Sequence, residues 1–174
     1  MNRTYPTAAL PVAYATLQIL VVLNLLMGAA ILALLLVMPN EQWIMSAFDL
    51  DPSPEAERVV MGLRIIALIG LGAVALNHMV LKRMLAIVAT VRQGAPFVAA
   101  NVYRLQAIAW LLLALQLLSI AIAAVAKMIS TPEHPVELDA GFSIAGWLAV
   151  FLCFVLARVF AEGTLMKEDL DGTV

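Results

Sequence analysis

Residues 13–38 read AYATLQILVVLNLLMGAAILALLLVM, and this stretch decides the fold. It lies in a longer run, residues 4–40, that holds no Asp, Glu, Lys or Arg. A bilayer core is crossed by roughly 20 apolar residues in helix. Three further segments meet that requirement. Residues 59–81 contain Arg64 and His78, residues 105–126 carry no charge, and residues 141–160 are charged only at Arg158. In lipid every backbone amide must be paired within its own segment or a closed barrel, and no short alternating strands are visible, so helices are the reading. A cleaved signal peptide is the alternative for the first run. That run is too long, starts with a single basic residue, Arg3, and lacks a clean small-x-small site, so it reads as a retained helix.

Composition agrees. The 174 residues are 64% hydrophobic and 13% charged, with mean hydropathy +1.00. A soluble domain is typically about 45–50% apolar and about 25% charged, and it has too little interior for this much apolar surface. The length suits one domain, residues 1–174. A net charge of −2 argues against direct nucleic-acid binding, which needs a clustered basic surface. The one cysteine, Cys153, sits in an apolar run and reads as small filler.

Basic residues set orientation, because Lys and Arg accumulate on the cytoplasmic side. Lys82, Arg83, Arg92 and Arg104 lie between the second and third segments; Arg3, Arg158 and Lys167 lie toward the chain ends. Arg58 and Lys127 lie on the other side, and Arg64 falls inside the second segment. Both termini are therefore expected in the cytoplasm. The outer loops are acidic, with Glu41, Asp49, Asp51, Glu55 and Glu57 in one and Glu133, Glu137 and Asp139 in the other. Pro39, Pro52, Pro54, Pro132 and Pro135 punctuate them.

Residues 79–91 keep helical spacing, with Leu81, Met84, Leu85 and Val88 on one face. Gly94 then Pro96 form a stop pattern, and a new helix is expected to start at Pro96. The fold expected is all-α: a four-transmembrane-helix bundle whose second and third helices extend into a cytoplasmic hairpin, residues 82–104, tipped by 94–97. The tail, residues 161–174, is expected to add a short helix ending near Gly172.

Arg64 is the most unusual residue, because a charge at the bilayer centre costs about 2.5–3.5 kcal/mol on insertion scales. It lies only about five residues, or roughly 8 Å, inside its segment, so snorkelling or a structural ion pair competes with a ligand or transport role. Asn24, Gln18, Asn77, Gln106, Gln116 and Ser119 read as interhelical hydrogen-bonding groups. His78 and His134 fall on opposite sides of the membrane, so no metal site is expected beyond a weak external cluster of Glu133, His134, Glu137 and Asp139. Gly62 and Gly70 sit on roughly one helix face, without a strict GxxxG. No nucleophile–base pair, phosphate loop or catalytic carboxylate pair is recognisable; the chain reads as no enzyme, with no cofactor.

The middle loop and the chain end carry a resemblance. Gly94-Ala95-Pro96-Phe97, then Asn101, Arg104-Leu105 and Trp110, with Gly141-Phe142-Ser143, Leu156-Ala157-Arg158-Val159-Phe160, Glu162-Gly163 and residues 167–174 (KEDLDGTV), resemble a bacterial family of small four-helix integral membrane proteins known as a domain of unknown function. The resemblance covers most of the chain. It departs at Gln106, where a basic residue is expected, and at Met166, where a second basic or polar residue is expected. It implies the bacterial cytoplasmic (inner) membrane, and a gene often placed beside a small Cro/CI-type helix-turn-helix regulator. It brings no catalytic residues.

The resembling, non-membranous residues cluster on one side. Phe97, Asn101, Tyr103 and Arg104 are expected to share a surface with Glu168, Asp169, Leu170 and Asp171. One reading is a tail packed on the hairpin through Arg–carboxylate pairs; the other, compatible with it, is a docking surface. The function expected is a membrane-anchored sensor or regulatory partner that docks a cytoplasmic helix-turn-helix DNA-binding protein. Alternatives are a transporter or channel component, with Arg64, Asn77 and His78 lining a path, or a structural membrane subunit. The lipid bilayer is a partner in every case, and a homo-oligomer stays open.

Overall fold

A computed structural model describes residues 9–37, 53–130, 136 and 138–171. The described chain is all-α. Its four helices are α1 (Ala9–Val37), α2 (Pro54–Arg92), α3 (Ala99–Ile129) and α4 (Ile144–Asp171). All four are long and apolar enough to cross a membrane. The protein therefore reads as a multi-pass membrane protein. The acidic and proline residues at 39, 41, 49, 51, 52, 132–135 and 137 lie outside the described residues.

The helices pack in chain order. α1 lies on α2, α2 on α3 and α3 on α4, and among the described residues no other pair of helices approaches closely. The arrangement is an open row, with α1 and α4 each at an edge. Few side chains are buried, and long apolar faces of every helix point outward. That is inside-out for water and ordinary for lipid, where burial between helices brings little hydrophobic gain.

α1 shows how narrow the contacts are. From Leu10 to Leu36 only Leu10, Tyr14, Leu17, Val21, Asn24, Gly28, Ile31 and Leu35 are covered; every other residue is exposed. Their alternating spacing of four and three is the 3.5-residue repeat of a left-handed coiled-coil seam. Gly28 lets α2 come close: a Cβ there would meet Val74 Cγ1 at 2.8 Å. Gly62 does the same for α3, since a Cβ would run into Ile129.

The helix ends follow local chemistry. α2 starts where Ser53, in extended conformation, accepts a hydrogen bond on its Oγ from the Ala56 amide at 3.1 Å. Pro54 opens the first turn, and Glu55 and Glu57 complement the positive helix start. α2 ends in a Schellman motif. Gly94 takes φ +78°, its amide donates to the Val91 carbonyl and the Ala95 amide donates to the Thr90 carbonyl, each at 3.0 Å.

Two boundaries differ from the sequence reading. α3 starts at Ala99 rather than Pro96, because residues 95–98 form the return of the hairpin and Val98, in extended conformation, is the N-cap. The tail is no separate helix: α4 runs unbroken to Asp171. No proline interrupts it, and Gly163, the one helix-weakening residue near the join, is held by packing against Phe97.

Length fixes what the membrane can cover. α2 has 39 residues, about 58 Å at 1.5 Å per residue. A hydrocarbon core of about 30 Å covers little more than half of it. Residues 65–81 carry no formal charge, between Arg64 and the Lys82–Arg83 pair.

Candidate functional site

The hairpin end gathers the residues singled out by sequence, but in two directions. Asn101 is fully buried, at 0% exposure. Its Nδ2 donates to Thr90 Oγ1 at 2.7 Å and to the Pro96 carbonyl at 2.9 Å. Its Oδ1 accepts from Arg104 Nη1 at 2.8 Å, and the same nitrogen reaches the Ala86 carbonyl at 3.4 Å. Thr90 Oγ1 in turn donates to the Ile87 carbonyl at 2.7 Å. The amide thus joins the end of α2, the turn and the start of α3. A satisfied buried network of this kind specifies one arrangement, and breaking one member strands the others. Asn101 supports the surface and does not itself present one.

Arg104 is spent on this network. The expected Arg104–carboxylate closure with the tail is absent among the described residues: Arg104 turns onto α2, while the tail belongs to α4. The ion pair on α4 is Arg158 Nε to Glu162 Oε1 at 3.0 Å, an exposed i, i+4 contact of small energetic weight.

Phe97 takes the other direction. Its ring lies 5.4 Å from that of Phe160, tilted by 45°, and it covers Gly163, where a Cβ would meet the ring at 2.8 Å. The hairpin tip is therefore fastened to α4 by an aromatic plug on a glycine. Nearby, Arg92 lies over the Tyr14 ring at 5.2 Å, a cation–π contact that brings in the start of α1.

Between α3 and α4 lies a groove of about 320 Å³, lined by Ala99, Val102, Tyr103 and Gln106 from α3 and by Ala161, Thr164, Leu165 and Glu168 from α4. Thr164 is buried and donates to the Phe160 carbonyl at 2.8 Å; Tyr103 and Leu165 stand exposed at the rim. Asp169 and Leu170 are also exposed, and Leu170 has a contact within the protein. Asp171 closes α4, and its side chain lies outside the described residues.

Among the described residues the polar side chains of the spans fall in separate places. Asn77 Nδ2 donates to Asn24 Oδ1 at 2.9 Å, and Asn24 Nδ2 donates to the Val74 carbonyl at 3.1 Å, tying α1 to α2. His78 is half-buried, with no partner for Nδ1 among the described residues. Arg64 is half-buried and engaged within the protein, roughly 20 Å along α2 from Asn77. Among the described residues no group of three metal-ligating side chains is present.

Sequence reading missed several partners. Thr90 looks like any helical residue, and nothing in its spacing marks it as the acceptor for Asn101. Ser119 clasps Gly141 in both directions, its Oγ donating to the carbonyl at 3.2 Å and accepting from the amide at 3.0 Å. Gly141 has φ +122°, which explains the glycine. Gly146 makes room for the Gln116 amide, which occupies the place a Cβ would fill. Trp110 and Phe154 meet edge to face, centroids 5.4 Å apart, with Trp110 largely exposed as in an interfacial aromatic belt.

Residues 41–174 match the family described as protein of unknown function (DUF2975), and the chain belongs to that family. The match takes in α2, α3 and α4 with the hairpin and the groove; α1 precedes it. No curated protein and no solved structure matches the chain.

Proposed function

We propose that this DUF2975 protein is a membrane-anchored regulatory partner of the bacterial cytoplasmic membrane, which docks a cytoplasmic helix-turn-helix regulator on its hairpin end. The excess of Lys and Arg in the chain ends and the α2–α3 connection supports a cytoplasmic hairpin with both termini inside. The observation that carries the reading is the construction of that end. Asn101 is buried with all its contacts devoted to holding the turn, whereas Tyr103, Leu165 and Glu168 stand exposed along one groove beside it. A rigid scaffold that presents exposed side chains at a loop and two helix ends suits recognition better than catalysis.

In this reading the four helices anchor the protein and receive an envelope cue. A shift between α3 and α4 would alter the groove and the Phe97–Gly163 contact together, because both lie on that interface. The test is affinity recovery of the intact protein from detergent extract of cells that also express a helix-turn-helix regulator, the one encoded beside it if the gene neighbourhood is of the kind the resemblance implies. The regulator is expected in the eluate by mass spectrometry, at amounts well above those with an unrelated four-helix membrane protein. Recovery of no helix-turn-helix protein refutes the docking role.

A further inference from the structure

The α3–α4 groove has walls of a particular kind. On α3 it is lined at 99, 102, 103 and 106; on α4 at 161, 164, 165 and 168. Both sets step by three, four and seven residues, so each helix presents a single heptad face to the same space. Ala99 and Ala161 keep the walls low, and Thr164 is satisfied by its own helix, so it makes no demand on an occupant. Two parallel-sided heptad rows are the holes into which the knobs of a third helix fit.

The charge of the occupant follows from the lining. Glu168 is the one formally charged residue that lines the groove. It stands at the end nearer the hairpin tip, since α4 ends and α3 begins there. Lys167 precedes it and Asp169 follows it, both outside the lining, and Glu162, six residues back along α4, is held by Arg158. No cation lines the space. Tyr103 and Leu165, 71% and 60% exposed, supply apolar contact at the rim.

We propose that this groove is a docking site for a basic amphipathic helix of a protein partner, its apolar ridge seated between Tyr103 and Leu165 and a Lys or Arg meeting Glu168. The proposal rests on the docking reading above and names the chemistry of the segment that docks. The geometry asks for apolar residues at i, i+3 or i+4 and i+7 on the incoming helix, with its cation toward the tip.

The test uses the full chain in phosphatidylcholine nanodiscs and a fluorescein-labelled helical peptide with leucines at heptad spacing and flanking lysines. Its counterpart carries Glu in place of Lys, and empty discs give the background. The Lys peptide is expected to bind saturably and roughly fivefold tighter than the Glu peptide, the scale of an exposed charge pair. Glu168→Lys is expected to weaken the Lys peptide by about fivefold. Leu165→Ser, at an exposed site that does not threaten the fold, weakens it several-fold. Asp169→Lys, outside the groove, leaves it within about twofold.

Equal losses from Glu168→Lys and Asp169→Lys would overturn the proposal in favour of diffuse charge attraction, and so would binding indifferent to Leu165→Ser. The two readings fail separately. If Glu168→Lys protein still recovers the regulator in full, the groove is wrong and docking stands. If wild-type protein recovers no regulator, docking is wrong and the peptide titration alone judges the groove.

Discussion

Asn101 is the residue on which the hairpin end depends most. Replacing it with Leu removes an amide that meets Thr90, Pro96 and Arg104, and leaves the Arg104 guanidinium facing an apolar group. Stranded buried donors and acceptors cost about 1–3 kcal/mol. Asn101→Leu is expected to lower stability by that amount in a detergent denaturation series, and Asn101→Asp is expected to be harmful too, because a carboxylate still accepts from Arg104 but cannot donate to the Pro96 carbonyl. Gly163 works by size alone. Gly163→Leu has to displace the Phe97 ring, and quenching of a tryptophan placed by Phe97→Trp is expected to increase as the ring moves into solvent. Unchanged emission would mean that the tip does not rest on α4. Inside the bilayer the Asn24–Asn77 pair is a smaller matter. A double-mutant cycle with Asn24→Leu and Asn77→Leu should give a coupling near 0.6 kcal/mol, the average for hydrogen bonds between membrane helices.

At the scale of elements, the hairpin was legible because its punctuation is chemical. Gly94 provides the left-handed residue that ends α2, and Pro96 cannot continue a helix. That the chain forms long apolar helices was legible as well, since residues 13–38, 105–126 and 141–160 have almost no charge. What the pattern did not disclose is that α4 continues to Asp171: residues 161–171 look polar enough for a separate piece, and the Phe97–Gly163 contact packs the helix just past the join. The direction of Arg104 was equally hidden, because a sequence places it near both the tail carboxylates and the α2 carbonyls. Gly94→Ala is a prediction at this scale. Forcing a Cβ into φ +78° is expected to destabilise the hairpin by about 1 kcal/mol. Hydrogen exchange of the 90–98 amides should then speed up while that of residues 65–81 stays unchanged.

For the whole molecule, the packing order matters more than the number of helices. A row of four helices leaves two edges open, and α1 presents every residue off its seam to the surroundings. Lipid satisfies such faces. It does not satisfy a carboxylate such as Glu168 in the α3–α4 groove, and in the proposed reading this contrast separates an anchoring portion from a docking one. Gly62→Leu is expected to separate α2 from α3 and to lower the yield of folded protein, without abolishing insertion, since each helix remains apolar enough to enter the bilayer alone.

The docking reading of the hairpin end requires it to face the cytoplasm. Gln93 is exposed at the α2 end, and Cys153, half-buried in α4, is the one native thiol. The decisive measurement is labelling of Gln93→Cys in a Cys153→Ala background by a membrane-impermeant maleimide. The docking account predicts no labelling in intact cells and full labelling in inside-out vesicles; labelling in intact cells would contradict it.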